Sequence, residues 1–172
     1  AGGYRLTGRW EWATGVMHAD WAMLHAVVEG VTPIETRYFL LPAAEIEVDD
    51  VWFTSGMRAT GSNVIRTSNV FVPAHRTVKA TAMRQGTPPG CAVNPEPFYS
   101  YPVSPVLALM GAAPAVGAAE GATEFFRERM RTRVLAYSGG AIQAEQPASQ
   151  IRVADAIVTA RSVRLLWEDA ID

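Results

Sequence analysis

The hydrophobic period changes once along this chain, and the position of that change limits the folds open to it. Tyr4 to Thr14 alternates: Tyr4, Leu6, Gly8, Trp10 and Trp12 fall on one face, and Arg5, Thr7, Arg9 and Glu11 on the other. A period of two with one apolar face reads as a half-buried strand. Further strand-length apolar segments follow at 20–29, 36–41, 48–54 and 63–72, and Pro42 and Pro73 close two of them. Short strands between turn signals predict an antiparallel sandwich or barrel. From Lys79 to Pro105 the pattern breaks under Pro88, Pro89, Pro95, Pro97, Pro102 and Pro105. Beyond it the period is helical. Residues 106–135 form an Ala-rich helix that Pro114 either kinks or divides, with arginines near its C-terminus, where they suit the macrodipole. Tyr137-Ser138-Gly139-Gly140 is the stop, and Pro147 opens a last helix that runs to the chain end. On that helix Ile151, Ala154, Val158, Ser162 and Leu165 are expected to form the buried stripe, widened by Ile157 and Leu166.

Strands first and helices second mean α+β or two domains, and exclude a doubly wound sheet. The expected organisation is a β-domain over residues 1–80, a Pro-rich linker over 81–105 and an up-down helical bundle over 106–172. The net charge of −2 gives no electrostatic reason to expect nucleic acid or an anionic membrane as partner. No apolar run is read as reaching the roughly 18–20 residues of a spanning helix. The N-terminus lacks the pattern of a signal peptide, so a cytoplasmic location is expected. Cys91 is the single cysteine, which rules out an intramolecular disulfide and a cysteine-based zinc site. The histidines, His18, His25 and His75, lie in different elements without metal-ligand spacing, so no metal is expected. A dinucleotide fingerprint, a zinc-protease helix and a nucleophile elbow are all missing. Gly56 to Asn63 has the glycine spacing of a phosphate loop. However, Ser62 stands at its lysine position and a strand, not a helix, follows, so that reading fails.

Three segments, taken in order, carry a resemblance. The first is Gly3 to Gly15 (GYRLTGRWEWATG), followed by His18-Ala19-Asp20-Trp21; the second is Gly56-Met57-Arg58-Ala59-Thr60-Gly61-Ser62, leading to Val70-Phe71-Val72-Pro73. The third is Arg129 to Arg133, then Pro147-Ala148-Ser149-Gln150, then Ala160 to Leu166. Together they resemble the acyl-CoA dehydrogenase superfamily: a middle β-domain whose aromatic-x-Thr strand end lies against a flavin, then a helical bundle. The wording around Trp10 to Trp21, and Tyr137-Ser138-Gly139-Gly140 followed by Glu145-Gln146-Pro147-Ala148, is similar to the oxygenase components of two-component flavin-dependent monooxygenases. The Arg-x-x-Phe-Gly stretch usual in the dehydrogenases is absent after Arg133. These details favour the oxygenase branch.

The resemblance implies roles for single residues. Trp12, Ala13 and Thr14 would meet the flavin. A flat ring with a polar edge needs an aromatic or backbone surface, and donors for N5 and O4 that a Thr hydroxyl and nearby N–H groups can provide. The plain alternative for Trp10 and Trp12 is core packing, which is preferred for Trp10 only. Arg131 or Arg133 would pair with the flavin phosphate or ring edge, often across a subunit interface; otherwise they are a solvated helix end. Gln150 would bind flavin or another protomer, or simply cap its helix. His18, Arg58 and Ser62 would border the substrate, against plainer readings as a satisfied histidine and a tight turn requiring Gly61. No catalytic base is assigned.

The expected function is therefore a flavin-dependent oxidoreductase. The first reading is an oxygenase component that takes reduced FMN or FAD from a separate NAD(P)H:flavin reductase and, with O2, hydroxylates an aromatic or similar small molecule. The alternatives are an acyl-CoA dehydrogenase and a non-catalytic flavin-fold or assembly module. A homotetramer is implied. The chain begins without methionine, runs at once into strand pattern and ends within helical pattern, and is read as a piece truncated at both ends.

Overall fold

Among the described residues, the strand-rich half of the sequence forms six strands in two antiparallel sheets. The computed structural model describes residues 2–171. Strand β1 (Gly3–Ala13) pairs with β5 (Asn63–Pro73), which pairs with β4 (Glu47–Asp49), giving the order β1-β5-β4. Strand β2 (Trp21–Val28) pairs with β3 (Glu35–Pro42), which pairs with β6 (Thr77–Lys79), giving β2-β3-β6. Leu6, Leu24, Phe39, Leu41, Ile65 and Val72 come from both sheets and form one buried core. Tyr4 packs edge-on against Phe39 with ring centroids 5.5 Å apart. Trp10 remains partly buried against this core, and its indole N–H donates to the His25 carbonyl at 2.8 Å, joining β1 to β2.

Two expectations for this region are corrected. The fourth strand stops at Asp49 instead of running to Thr54. Asn63 explains why: its side-chain oxygen accepts the N–H groups of Val51 (2.8 Å) and Trp52 (2.9 Å), which a strand would have paired with backbone. Trp12 does not share the inward face of Leu6 and Trp10. The register shifts between Trp10 and Ala13, Trp12 takes φ 60°, and its side chain is 71% exposed. A bulge inserts a residue and re-aims the side chains beyond it, which alternation alone cannot reveal.

The proline-rich stretch carries a short helix, α1 (Ala80–Arg84), and single turns at Pro89–Ala92 and Pro97–Ser100. Gly86, at φ 69°, lets the chain double back, because a Cβ there would overlap the Ser100 carbonyl oxygen.

The chain divides into two compact units, the first ending at Val103 and the second beginning at Ser104. The second contains most of α2 (Val103–Met130) and all of α3 (Pro147–Asp169). Pro114 lies within one continuous helix. The helices run antiparallel: Arg164 pairs with Glu120 at 2.7 Å, and the Trp167 indole donates to the Leu109 carbonyl at 2.9 Å. Helix α2 ends before the expected Leu135, because the chain turns into a small hairpin closed by the Val134–Ile142 bridge. The stripe expected on α3 is also corrected: Ile151, Val158 and Leu165 are exposed, and Ala160 is the buried position. Helix α3 is apolar on several sides, so the pattern alone did not select the face turned toward α2. By length and composition alone α2 qualifies as a spanning helix, contrary to expectation, because one 18-residue stretch of it is apolar and nearly free of charge. The last helix was expected to run to the chain end but stops at Asp169; Asp172 itself lies outside the described residues.

Candidate functional site

Strand β1 ends in a tight turn held by its own backbone. The Thr14 N–H donates to the Trp12 carbonyl (2.8 Å), and the Gly15 N–H donates to the Thr60 carbonyl (2.8 Å). Gly15 sits at φ 75°, a conformation that favours glycine. Trp12 is a bulky residue at positive φ, an arrangement that costs about 1–3 kcal/mol and that clusters at functional sites. Its indole stands between two clefts. One, of about 410 Å³, is lined by Trp10, Trp12, Thr14, Trp21 and His25 among others. The other, of about 310 Å³, is lined by Trp12, Trp52, Phe53 and Ser62 among others. An exposed aromatic ring beside a polar strand end offers the surface and edge a flat heteroaromatic ring requires.

The second segment folds against the first. Met57 (φ 53°) and Gly61 (φ 49°) bracket the turn Arg58–Thr60, and Ala13 stands opposite Asn63 in the β1–β5 register. Ser62 is buried, and its hydroxyl lies 2.9 Å from that of Thr14 and 2.8 Å from that of Thr60. The Thr60 hydroxyl also donates to the Met57 carbonyl at 2.9 Å, and that carbonyl receives the Trp52 indole N–H at 3.0 Å. A chain of hydroxyls therefore ties the strand end to the turn.

Residues 109–172 match the family model described as the acyl-CoA dehydrogenase C-terminal domain. The flavin-dependent monooxygenase oxygenase subunit HsaA of Rhodococcus jostii is 37% identical over 90% of this chain and 41% of its own length. The crystal structure of the 3-HSA hydroxylase from Rhodococcus sp. RHA1 superposes with a TM-score of 0.86 at 35% identity, over 98% of this chain and 44% of that one.

Its helical part is similar to the acyl-CoA dehydrogenase C-terminal domain, and the whole chain is similar to oxygenase subunits of flavin-dependent monooxygenases.

Other relatives sharpen the branch. The oxygenase component of p-hydroxyphenylacetate 3-hydroxylase from Acinetobacter baumannii is 30% identical over 98% of this chain and 41% of its own length. XiaF from Streptomyces sp., solved in complex with FADH2 and glycerol, gives a TM-score of 0.78 at 31% identity, over 99% of this chain and 46% of that one. The chain spans about two-fifths of the length of the curated relatives it matches.

The structure brings Trp12, Ala13, Thr14 and Ser62 together on the first unit. Arg58 is exposed on the same turn as Ser62, and His18 is exposed at the end of the short turn Val16–His18 that follows Gly15. Ser62 is buried at the lining of the smaller cleft beside Trp12, with Thr14 and Thr60 as its hydroxyl partners. Arg131, Arg133 and Gln150 belong to the second unit. Arg131 pairs with Glu128 at 2.9 Å, the Arg133 carbonyl accepts the Gln143 N–H at 2.8 Å, and the Gln150 amide donates to the Ala144 carbonyl at 2.8 Å. Both arginines are exposed, so their guanidinium groups remain accessible to an anion. Sequence reasoning passed over Thr60 and Asn63. Their signal was the run Thr60-Gly61-Ser62-Asn63, three short polar side chains around a glycine at the start of an apolar strand.

Proposed function

We propose that this chain is part of the oxygenase component of a two-component flavin-dependent monooxygenase that hydroxylates an aromatic or similar small molecule. Reduced FMN or FAD comes from a separate NAD(P)H:flavin reductase. When bound, it supplies the electrons that activate O2: one oxygen atom enters the substrate as hydroxyl, the other leaves as water, and the flavin leaves oxidised.

The observation that carries the reading is the exposed, backbone-strained Trp12 beside Thr14, in a chain whose similar proteins are named oxygenase components. Trp12 offers the flavin an aromatic surface, and Thr14 meets the polar edge of the ring. Arg131 or Arg133 offers the phosphate a fixed cationic fork, and Gln150 is a further contact to flavin or a neighbouring protomer. His18 and Arg58 border the small-molecule side, with Ser62 behind them. A cytoplasmic homotetramer is part of the same proposal, and the broadly apolar α3 is suited to such assembly.

Anaerobic titration of the full-length protein with reduced and oxidised FMN and FAD, followed by admission of oxygen, tests the reading. Tighter binding of the reduced form, and O2 consumption coupled to hydroxylated product, are expected. Tightly held oxidised FAD that is bleached by an acyl-CoA would overturn the reading in favour of a dehydrogenase.

A further inference from the structure

A hydroxyl carries one hydrogen, and that count fixes the direction of the chain linking Thr14, Ser62 and Thr60. A carbonyl oxygen carries none. The Thr60 hydroxyl, 2.9 Å from the Met57 carbonyl, must therefore point its hydrogen there; otherwise two lone pairs would meet at that distance. Thr60 is then the acceptor in its 2.8 Å contact with Ser62, so Ser62 donates. Ser62 is in turn the acceptor in its 2.9 Å contact with Thr14, so Thr14 donates inward. Burial of Ser62 keeps water from offering a competing partner.

The neighbouring backbone donors are engaged as well. The Thr14 N–H is held by the Trp12 carbonyl and the Gly15 N–H by the Thr60 carbonyl, each at 2.8 Å. Thr14 was expected to supply donors; its hydroxyl oxygen instead presents only lone pairs outward. Flavin N5 changes character with redox state: it is an acceptor without hydrogen when oxidised, and an N–H donor when reduced.

We propose that Ser62 and Thr60 are positioning residues that lock Thr14 as a hydrogen-bond acceptor, and that this polarity makes the site select reduced over oxidised flavin. The inference rests on the flavin reading above and adds to it the source of redox selectivity. Oxidised flavin would set its N5 lone pair against that of Thr14, and so leaves once its electrons are used. The reduced form is held until oxygen and substrate arrive.

The test is the ratio of dissociation constants for oxidised and reduced FMN (or FAD, whichever the full-length protein binds), measured anaerobically in wild type and variants. Ser62→Ala removes the acceptor for Thr14, and Thr60→Val removes the acceptor for Ser62. In both, the Thr14 hydrogen is free to turn outward. Each variant should bind oxidised flavin more tightly, and the ratio should fall about tenfold, the scale of one hydrogen bond. Thr14→Val should weaken reduced flavin, which loses its acceptor, and should bind oxidised flavin no more weakly than wild type, because the opposed lone pair is gone. Reduced 5-deazaflavin, which has carbon in place of N5, should bind wild type several-fold more weakly than reduced flavin; this arm needs no variant to fold. Unchanged ratios in folded Ser62→Ala and Thr60→Val, or equal binding of reduced 5-deazaflavin and reduced flavin, would overturn the relay while leaving the flavin reading intact. Failure of wild type to bind either redox form overturns the flavin reading and the relay together.

Discussion

The two units of this chain handle apolar surface in opposite ways. The first closes a core of its own: Leu41 and Ile65 are at most 1% exposed, and Trp12, outside that core, is turned out by a backbone bulge beside a cleft. The second leaves large side chains in solvent on both helices, among them Leu107, Met110 and Phe125 on α2 and Ile151, Leu165 and Leu166 on α3. A unit that buries its own core can hold a strained residue in place, because the surrounding structure over-determines it. Two helices apolar on several sides cannot bury those sides against each other, and such helices belong inside a larger bundle. Precision at a site is therefore expected from the strands, and assembly from the helices.

The largest expected effect separates these roles. In denaturant unfolding, Leu41→Ala should cost about 2–5 kcal/mol, as large-to-small changes in closed cores do. Leu166→Ala in the 172-residue chain should stay within about 0.5 kcal/mol. A Leu166→Ala cost equal to that of Leu41→Ala would break the comparison, because it would show that face already covered in solution.

What the sequence made legible follows the same division. Alternation located β1, because burying one face imposes a period of two, and apolar runs of strand length, two of them closed by Pro42 and Pro73, located β2, β3 and β5. These signals failed at Trp12 because a bulge leaves no compositional mark, and at residues 50–54 because a side chain, Asn63, replaced a strand partner. Strand β6, three residues long, is too short to carry a period. On α3 the period was correctly helical, yet the buried face was missed: Ala160 and Trp167 meet α2, while Ile151, Val158, Leu165 and Leu166 stay exposed. The site was legible at Trp12, Ala13 and Thr14 through family resemblance. The direction of the hydroxyl chain behind Thr14 depends on hydrogen positions that only distances between atoms can fix.

Next in size is Asn63→Ala, which should cost about 1–3 kcal/mol by leaving the Val51 and Trp52 N–H groups without their shared acceptor. The loss should appear in thermal unfolding together with weaker flavin binding, since the segment lining the cleft beside Trp12 would loosen. A stability loss with flavin affinity untouched would uncouple the cleft from the site. Trp12→Gly sharpens the contrast from the other side. Glycine tolerates φ 60°, and relief of backbone strain opposes the added freedom of the unfolded chain. Stability should remain within about 1 kcal/mol of wild type, while flavin affinity falls at least about tenfold with loss of the aromatic face. A Trp12→Gly protein that unfolds readily would mean that Trp12 serves the core.

The smallest effect lies away from the site, where β3 meets β6. The Glu35 carboxyl is held below the ordinary carboxylate range by its hydrogen bonds to Lys79 and Arg37. A carboxyl depressed in the folded state contributes stability that is present above its unfolded value and is lost as pH falls through the folded one. Glu35→Gln should therefore lower stability slightly at neutral pH and flatten the acid limb of a stability-against-pH curve measured down from pH 7. Arg37 also lies over the Tyr4 ring, 5.1 Å from its centroid, so the ion pair braces the part of the first unit where Tyr4 meets Phe39. An unchanged acid limb in Glu35→Gln would assign that bracing to the cation–aromatic contact alone, and the first unit would owe its closure to packing without electrostatic help.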